Sequence, residues 1–280
     1  MPGLKIGVML SSFKTDPEEG LRKVVELGVP GVHLNAHAGP FSPGALEAAA
    51  RRQLVKKVRE LGLEITAISA WGGDRHITEP AEQEENLKQA AAFLDLAADL
   101  ECRIWQAHVG VIPGDTSDPA WTCAVETAGQ IAAHGEKVGA CLAIETGPEP
   151  PSVLRRFIET VGSRAIRVNY DPANLLIWPA WQIREGNLAT DLPTALREFA
   201  ATEGAAVLGP YVVHTHAKDA RVTEEGDFQE VPIGEGQVDW PRYISLLKQA
   251  GYDGYFAIER EVGEDRAGDI AKGVAFLRTL

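Results

Sequence analysis

The sequence has few cysteines, no excess of basic residues and no long hydrophobic run. Its three cysteines, Cys102, Cys123 and Cys141, form no Cys-x-x-Cys pair and are odd in number, so a disulfide framework is not indicated. The apolar stretch in the N-terminal MPGLKIGVML is too short for a secretory signal or a membrane span. These absences predict a cytoplasmic protein with buried thiols and no membrane partner.

The charge balance excludes a further class of partners. The 280 residues include 27 Lys and Arg against 40 Asp and Glu, a formal net charge of −13. Such a surface repels phosphate backbones unless basic residues cluster locally, and the sequence contains no basic run. We therefore expect no nucleic-acid partner. The 45% hydrophobic and 24% charged residues are ordinary values for a soluble globular protein.

Short apolar runs alternate with helical patterns along the chain, which is typical of a parallel βαβ sheet. Eight runs read as strands, and a barrel of eight βα units needs about 250 residues. The sequence therefore predicts an α/β protein with one (β/α)8 TIM barrel domain over residues 1–280. The predicted strands are KIGVML, GVHLNAH, LEITAISAW, CRIWQAHVG, ACLAIET, AIRVNYDP, YVVHTHAKD and YFAIE.

Two connections depart from the regular pattern. In the longest, residues 173–209, only DLPTALREFAATEG reads as a helix, so the preceding LLIWPAWQIREGN is predicted to be a lid or a partner-contacting insertion. The other contains the glycine-rich GEGQ. Its Gly234 and Gly236 are compatible either with phosphate binding or with a turn before the next helix.

Four successive predicted strands end in a side chain that can bind a metal ion. Strand residues alternate between two faces, which places Glu145, Asp171 and Glu259 on the inward face and the large apolar residues beside them on the helix-facing side. His216 ends its strand with the same parity. Active sites of TIM barrels lie at the carboxyl ends of the strands, so we expect these four side chains to converge.

Such a cluster needs a counter-charge. Three carboxylates that converge in a barrel would repel one another and lose solvation, which would force some of them to be protonated. A divalent cation resolves this, and oxygen-rich ligation with one imidazole suits Mn²⁺, Mg²⁺ or Co²⁺, with Zn²⁺ as a further candidate. The alternative for each residue alone is a polar group at a strand end that fixes a loop by hydrogen bonds.

Five segments carry a family resemblance that extends over nearly the whole chain. They are LAIETGPE, NYDPANLL, VVHTHAKD, IGEGQVDW and GYDGYFAIE. The chain resembles the xylose isomerase-like barrel family of sugar isomerases and epimerases, which includes ketose 3-epimerases, hydroxypyruvate isomerase and inosose dehydratase. The resemblance implies that Glu145, Asp171, His216 and Glu259 are metal ligands, and that Glu145 and Glu259 are also the proton-transfer pair.

The same resemblance implies substrate contacts at three further positions. His214 matches a residue that lies behind the ligand or beside the substrate, with a core histidine as the alternative. Arg221 resembles the substrate-binding arginine of the epimerases, although it is one residue closer to the metal histidine. Asn174 stands where the epimerases tend to carry a substrate-binding histidine.

Other residues at predicted strand ends suggest sugar contacts. His108 and His37 end two strands and are predicted to contact substrate hydroxyls, with hydrogen bonding at the rim as the alternative. Trp71 is predicted to form an apolar wall against the carbon face of a sugar. For Trp178 and Trp181 we favour ordinary packing.

A few polar residues are not assigned a role in the reaction. Arg75 and His76 are compatible with a grip on a sugar hydroxyl or a phosphate, or with solvated loop charges. His33 is predicted to be structural. Lys218 and Asp219 are predicted to form a local ion pair.

The hypothesis from these residues is proton abstraction from a carbon next to a ketose carbonyl. An ion on the substrate oxygens would stabilise the enediolate, one glutamate would remove the proton and the other would return one. The nearest alternative is a dehydratase or lyase acting on a keto-sugar or inosose. Less favoured are an apurinic endonuclease-like activity and a non-catalytic sugar-binding barrel. The expected partner is a small-molecule sugar, and a homo-oligomer is left open.

Overall fold

The computed structural model describes residues 3–71 and 76–280; Arg75 lies outside them. The described part contains ten strands. They are β1 (Lys5–Met9), β2 (Gly31–Asn35), β3 (Glu64–Ser69), β4 (Ile104–Ala107), β5 (Cys141–Glu145), β6 (Ile166–Tyr170), β7 (Val212–Ala217), β8 (Asp219–Val222), β9 (Phe228–Val231) and β10 (Tyr255–Ile258).

Eight of these strands close into one parallel barrel in the order β1-β10-β7-β6-β5-β4-β3-β2. All eight correspond to strands predicted from the sequence, so the TIM barrel prediction is confirmed. Parallel closure brings the carboxyl ends of all eight strands to one rim. Several side chains of the barrel strands are fully buried, among them Val8, Val32, Trp105, Leu142 and Val168.

The helices lie between the barrel strands. They are α1 (Pro17–Glu26), α2 (Ala48–Glu60), α3 (Gln83–Asp99), α4 (Pro119–Val138), α5 (Pro151–Val161), α6 (Asn174–Arg184), α7 (Leu192–Phe199), α8 (Gly204–Leu208), α9 (Trp240–Gln249) and α10 (Arg266–Leu277). Short 3₁₀ turns cover Leu10–Phe13, Gly39–Phe41, Pro80–Glu82 and Gly209–Tyr211.

Local sequence sets where several helices begin. The N-cap Asp16 accepts hydrogen bonds from the backbone N–H groups of Glu18 and Glu19, both at 3.1 Å, and Pro17 occupies the first helical position. The same aspartate capping begins α4, α7, α9 and α10. A side-chain acceptor at this position satisfies backbone donors that have no partner within the helix.

The predicted alternation of faces is visible on β6. The hydroxyl of Tyr170 donates to the carbonyl of Ala201 at 2.8 Å, in the helical layer. The preceding residue, Asn169, is bonded instead to His214 of the neighbouring β7 at 2.8 Å. Tyr170 therefore faces outward and Asn169 inward, as predicted.

The prediction of an irregular segment before DLPTALREFAATEG was wrong. Residues 174–184 form helix α6, which contains Pro179 in its interior. A proline in that place disfavours a helix locally, but Leu175 and Ala180 are buried in the hydrophobic core. Burial of this apolar face outweighs the local penalty, so the segment is a packed helix.

The hairpin of β8 and β9 was not predicted. Its strands are antiparallel, with Asp219 opposite Val231. The carboxylate of Asp219 accepts from the backbone of Gly234 at 2.9 Å and Gly236 at 3.2 Å, and from the indole of Trp240 at 2.9 Å. The predicted ion pair of Lys218 with Asp219 is therefore wrong. The backbone N–H groups of Gly234 and Gly236 bind the carboxylate of Asp219, so this glycine-rich loop forms a turn.

Two further predictions from the sequence concern the state of the cysteines and membrane-spanning segments. The three cysteines are free, as expected, but they are half-buried and not fully buried as predicted. Within residues 3–71 and 76–280, every helix is too short or too polar to cross a membrane.

Candidate functional site

The four predicted ligands meet around one atom at the carboxyl rim of the barrel. Nδ1 of His216 lies 3.0 Å from Oε1 of Glu145, 3.2 Å from Oε2 of Glu259 and 3.8 Å from Oδ2 of Asp171. One ligand atom from each of the four residues lies within 4.8 Å of the others. Residues up to 114 positions apart in the sequence thus form one cluster, because neighbouring barrel strands end beside one another.

One carboxylate oxygen of Asp171 is available to bind a cation. Its Oδ1 accepts from the backbone N–H groups of Ala173 at 2.8 Å and Asn174 at 3.1 Å, which fixes the start of α6. Its Oδ2 is buried and has no hydrogen-bond partner. A buried carboxylate oxygen without a donor is costly, and a cation beside it would remove that cost.

The donor set fits a divalent ion. Atoms that bind one ion at about 2.0–2.2 Å are roughly 3 Å apart when they are adjacent ligands. The two shortest contacts of His216, with Glu145 and Glu259, have that spacing. Three carboxylates and one imidazole are ligands typical of Mn²⁺ and Mg²⁺ sites. The cluster could therefore hold a metal ion.

Lys218 is the second positive group of the site. Its Nζ lies 3.1 Å from Oε2 of Glu259 and 3.9 Å from Oδ2 of Asp171, and it also contacts Glu261. Burial raises the pKa of Glu259, but the charges of Lys218 and His216 outweigh it and hold that pKa well below its usual range. Glu259 is therefore ionised in the free site.

Glu145 is held from several sides. Asn174 donates to its Oε1 at 3.0 Å, Gln106 donates to its Oε2, and Nε2 of His108 lies 3.4 Å from the same oxygen. Burial opposes ionisation, yet the charges of His108 and His216 leave the pKa of Glu145 lowered. In Asp171 burial dominates and the pKa is raised, against the effect of Lys218. The two glutamates are thus the ionised pair.

His33 lies directly behind the ligand cluster. Its Nδ1 is 3.3 Å from Nε2 of His216. Burial, and then the charge of His216, lower the pKa of His33 to about 3. His33 is therefore neutral and can accept the proton on Nε2 of His216, which leaves Nδ1 of His216 to face the carboxylates.

A cavity of about 530 Å³ opens above the cluster, here called the main cavity. This volume lies within the range of about 300–1,000 Å³ found for small-molecule sites. Most of the predicted site residues line it. The lining residues are Met9, Asn35, His37, Ser69, Ala70, Trp71, Gln106, His108, Glu145, Asn174, Ile177, Trp178, Trp181, Lys218, Phe228, Glu259 and Glu261.

Trp71 is held at the edge of the main cavity by its own contacts. It has φ +68°, a left-handed conformation that costs a bulky residue about 1–3 kcal/mol. Its indole donates to Gln89 at 3.0 Å and packs edge-on to Trp105, with ring centroids 4.8 Å apart. Such strain persists only when neighbouring contacts hold it, which supports a role for the ring in the site.

Trp178 and Trp181, for which ordinary packing was predicted, also line the main cavity. Their rings are perpendicular, with centroids 5.2 Å apart. Gly147 makes room for them, because a Cβ there would come within 2.5 Å of Cδ1 of Trp178. Helix α6, which was not predicted, carries both rings to the rim.

Two predicted substrate residues lie elsewhere. His214 is buried below the cluster, where its ring nitrogens are 3.1 Å from Oγ1 of Thr66 and 2.8 Å from Oδ1 of Asn169. Arg221 is exposed on β8, and its Nε donates to the carbonyl of Glu235 at 2.5 Å. Neither side chain lines the main cavity.

Three further residues belong to the site without having been predicted there from the sequence: His33, Lys218 and Gln106. A signal existed for His33, because it has the same strand parity as His37, which was placed at the end of its strand. Lys218 follows His216 by two residues and so has the same signal. For Gln106, strand parity pointed to the face of His108, but only the fold shows its contact with Glu145.

Comparisons with known proteins agree with this architecture. The sequence model of the family described as xylose isomerase-like TIM barrel matches residues 21–280. L-ribulose-5-phosphate 3-epimerase of Escherichia coli is 45% identical over 64 residues, which is 22% of this chain. The match spans 22% of the length of that relative, so it informs only part of the molecule.

Solved structures with the same fold match over almost the whole chain. A xylose isomerase domain protein from Planctomyces limnophilus has a TM-score of 0.79 and 23% identity, covering 99% of this chain and 96% of that one. A xylose isomerase-like TIM barrel protein from Mycobacterium smegmatis, in complex with magnesium, has a TM-score of 0.73 and 21% identity, with 100% and 98% coverage. Ketose 3-epimerases are among the other structural neighbours.

Proposed function

Because the chain belongs to the xylose isomerase-like TIM barrel family, we propose that it is a divalent-metal-dependent sugar isomerase or epimerase. The reaction moves a proton on a carbon next to a carbonyl. One observation carries the proposal: the ionised Glu145 and Glu259 both line the main cavity and both contact the same nitrogen of His216, at 3.0 and 3.2 Å. Residues 1–280 act as one domain in this proposal.

Glu145, Asp171, His216 and Glu259 would hold the ion. The oxygen-rich set favours Mn²⁺, with Mg²⁺, Co²⁺ and then Zn²⁺ as alternatives. When bound, the ion supplies Lewis-acid stabilisation of negative charge that develops on substrate oxygens. The unpartnered Oδ2 of Asp171 supports this assignment.

Glu145 and Glu259 perform the proton transfers. One glutamate, as the carboxylate, takes the proton from the carbon beside the carbonyl. The other, which must enter this step protonated, returns a proton to the opposite face, which inverts the centre, or to the neighbouring carbon, which isomerises the sugar. The pair thus takes up one proton from solvent before the abstraction, holds two while the enediolate is present, and holds one again when the product has formed. Lys218, which contacts Glu259, holds that carboxylate in place.

The remaining lining residues bind and orient the sugar. His37, His108 and Asn174 can bond its hydroxyl groups, and Trp71 can cover a carbon face. Among the described residues that line the main cavity, Lys218 is the sole Lys or Arg, and it is paired with Glu259 and Glu261. This charge pattern favours an uncharged sugar over a sugar phosphate.

The direct test is solvent exchange. Ketoses, keto acids and keto-glycosides are incubated with the Mn²⁺-loaded protein in D₂O, and deuterium at the carbon next to the carbonyl is followed by NMR. The native protein should incorporate deuterium, whereas Glu145→Gln and Glu259→Gln should not. Glu264→Gln changes an exposed carboxylate and is the matched control.

Two outcomes would change the assignment. Exchange at a near-native rate in either glutamine variant would remove the proposed role of that residue. A product that has lost water or an aglycone would identify a dehydratase or lyase, which begins with the same proton abstraction.

A further inference from the structure

A second cavity, here called the side compartment, adjoins the main cavity and has a volume of about 260 Å³. It shares His108, Trp178 and Trp181 with the main cavity. The complete lining is His76, His108, Gly110, Val111, Pro148, Trp178, Trp181, Gln182 and Asn187. The two cavities therefore lie next to each other at these three residues.

Two glycines allow the walls of the side compartment to approach. Gly110 has φ +88°, and a Cβ there would lie 2.6 Å from Nδ1 of His76. At Gly147, an added Cβ would lie 2.5 Å from Cδ1 of Trp178. With any larger residue at either position, the imidazole or the indole would have to move.

The chemistry of the side compartment is apolar. Val111, Pro148 and the two indoles supply hydrocarbon and aromatic surface. The amide of Gln182 is already used, because its Nε2 donates to the carbonyl of Pro148 at 2.6 Å. Among the described lining residues there is no Lys, Arg, Asp or Glu. The compartment therefore suits an uncharged, flat, apolar group, which stacks on indole rings.

His108 connects this space to the reaction centre. Its Nε2 lies 3.4 Å from Oε2 of Glu145, and its ring centroid is 6.0 Å from that of Trp178. His108 thus lies beside both the ligand cluster and Trp178, so a sugar substituent that points toward His108 would also approach the tryptophan pair.

We propose that the side compartment binds an aromatic aglycone attached to the reacting sugar, so that the substrate class is an aryl keto-glycoside and not a free monosaccharide. This rests on the proposed function in one respect, namely that the reacting sugar occupies the main cavity. The sugar is bound by the polar residues at the cluster, and the aglycone by Trp178, Trp181 and Val111.

The test compares two probes that differ only in the aglycone. Binding of phenyl β-D-glucopyranoside and methyl β-D-glucopyranoside to the Mn²⁺-loaded protein is measured by calorimetry. We expect the phenyl glycoside to bind at least tenfold more tightly. Val111→Asp places a charge in the compartment at a half-exposed position. In this variant the ratio of the affinity for the phenyl glycoside to that for the methyl glycoside should fall below threefold. Val25→Asp, at a similarly exposed valine on α1, is the matched control and should keep the ratio.

The outcomes separate this inference from the proposed function. Equal binding of the two glycosides by the native protein would overturn the side-compartment proposal alone, since a sugar would still bind. A phenyl preference that persists in a folded Val111→Asp variant would also overturn it, because the aglycone would lie elsewhere. Binding of neither glycoside, together with no deuterium exchange on the ketose panel, would overturn both.

Discussion

Nε2 of His216 and Nδ1 of His33 lie 3.3 Å apart inside the barrel, and both rings are fully buried. The other ring nitrogen of His216 faces the carboxylates of the ligand cluster. A histidine that binds a metal through one nitrogen is oriented by the hydrogen bond of the other. His33 is thus the residue that fixes the orientation of His216.

The first prediction concerns this pair. His33→Phe removes the acceptor for Nε2 of His216 and should lower Mn²⁺ affinity by about 10–100-fold, as measured by calorimetric titration. His33→Gln retains an acceptor oxygen and should recover most of the affinity. An unchanged affinity in a folded His33→Phe variant would show that the hydrogen bond does not orient the ligand.

The second prediction concerns Asp171. Mn²⁺ at a hundred times its dissociation constant should stabilise the native protein by about 2.7 kcal/mol and raise its Tm. Asp171→Asn should lose that increase. Because burial raises the pKa of Asp171, the metal-free variant should melt no lower than the native protein, since it lacks a buried charge. Asp253→Asn, at an exposed carboxylate, should respond to Mn²⁺ normally.

The third prediction concerns the space beside Trp178. Gly147→Ala adds a Cβ 2.5 Å from Cδ1 of Trp178 and 3.3 Å from Cβ of Asn174, which should displace the indole at a cost of about 1–3 kcal/mol. Affinity for phenyl β-D-glucopyranoside should fall at least fivefold, with Mn²⁺ affinity changed less than threefold. Gly129→Ala, in α4, meets nothing within 4 Å and should alter neither affinity. Native sugar binding by Gly147→Ala would contradict the proposed wall.

The fourth prediction concerns the buried Glu149. Burial raises its pKa to about 8, and only the N–H of Ile112, at 3.3 Å, opposes the shift. The unfolded chain loses this proton near pH 4.5, so unfolding releases a proton between that pH and about 8. The free energy of unfolding should therefore decrease across this window and then level off.

Glu149→Gln should remove that decrease. The effect is about 1.4 kcal/mol for each pH unit of the window. At pH 8 the free energy of unfolding of the variant should therefore exceed that of the native protein by on the order of a few kcal/mol, and at pH 4.5 the difference should be close to zero. Urea unfolding of the native protein and the variant at both pH values measures this difference. Glu126→Gln, at an exposed position on α4, should show no such difference between the two pH values. Equal effects of Glu149→Gln at pH 4.5 and pH 8 would refute the assigned cause.

The barrel and the ligand set could be predicted from local patterns. Apolar runs and helical patterns act within a few residues, so the eight barrel strands were found from the sequence. The period of two along each strand then placed Glu145, Asp171, His216 and Glu259 on one face. Neither step required knowledge of which strands are neighbours.

The sequence by itself thus determined the alternation of strands and helices and the four side chains at the rim. The tertiary structure decided the rest: the helix around Pro179, the pairing of Lys218 with Glu259, the support of His216 by His33 and the tryptophan pair beside the cavity. The physical reason is that local propensities operate over a few neighbouring residues. Burial and electrostatic pairing depend instead on which distant segments the closed barrel brings into contact.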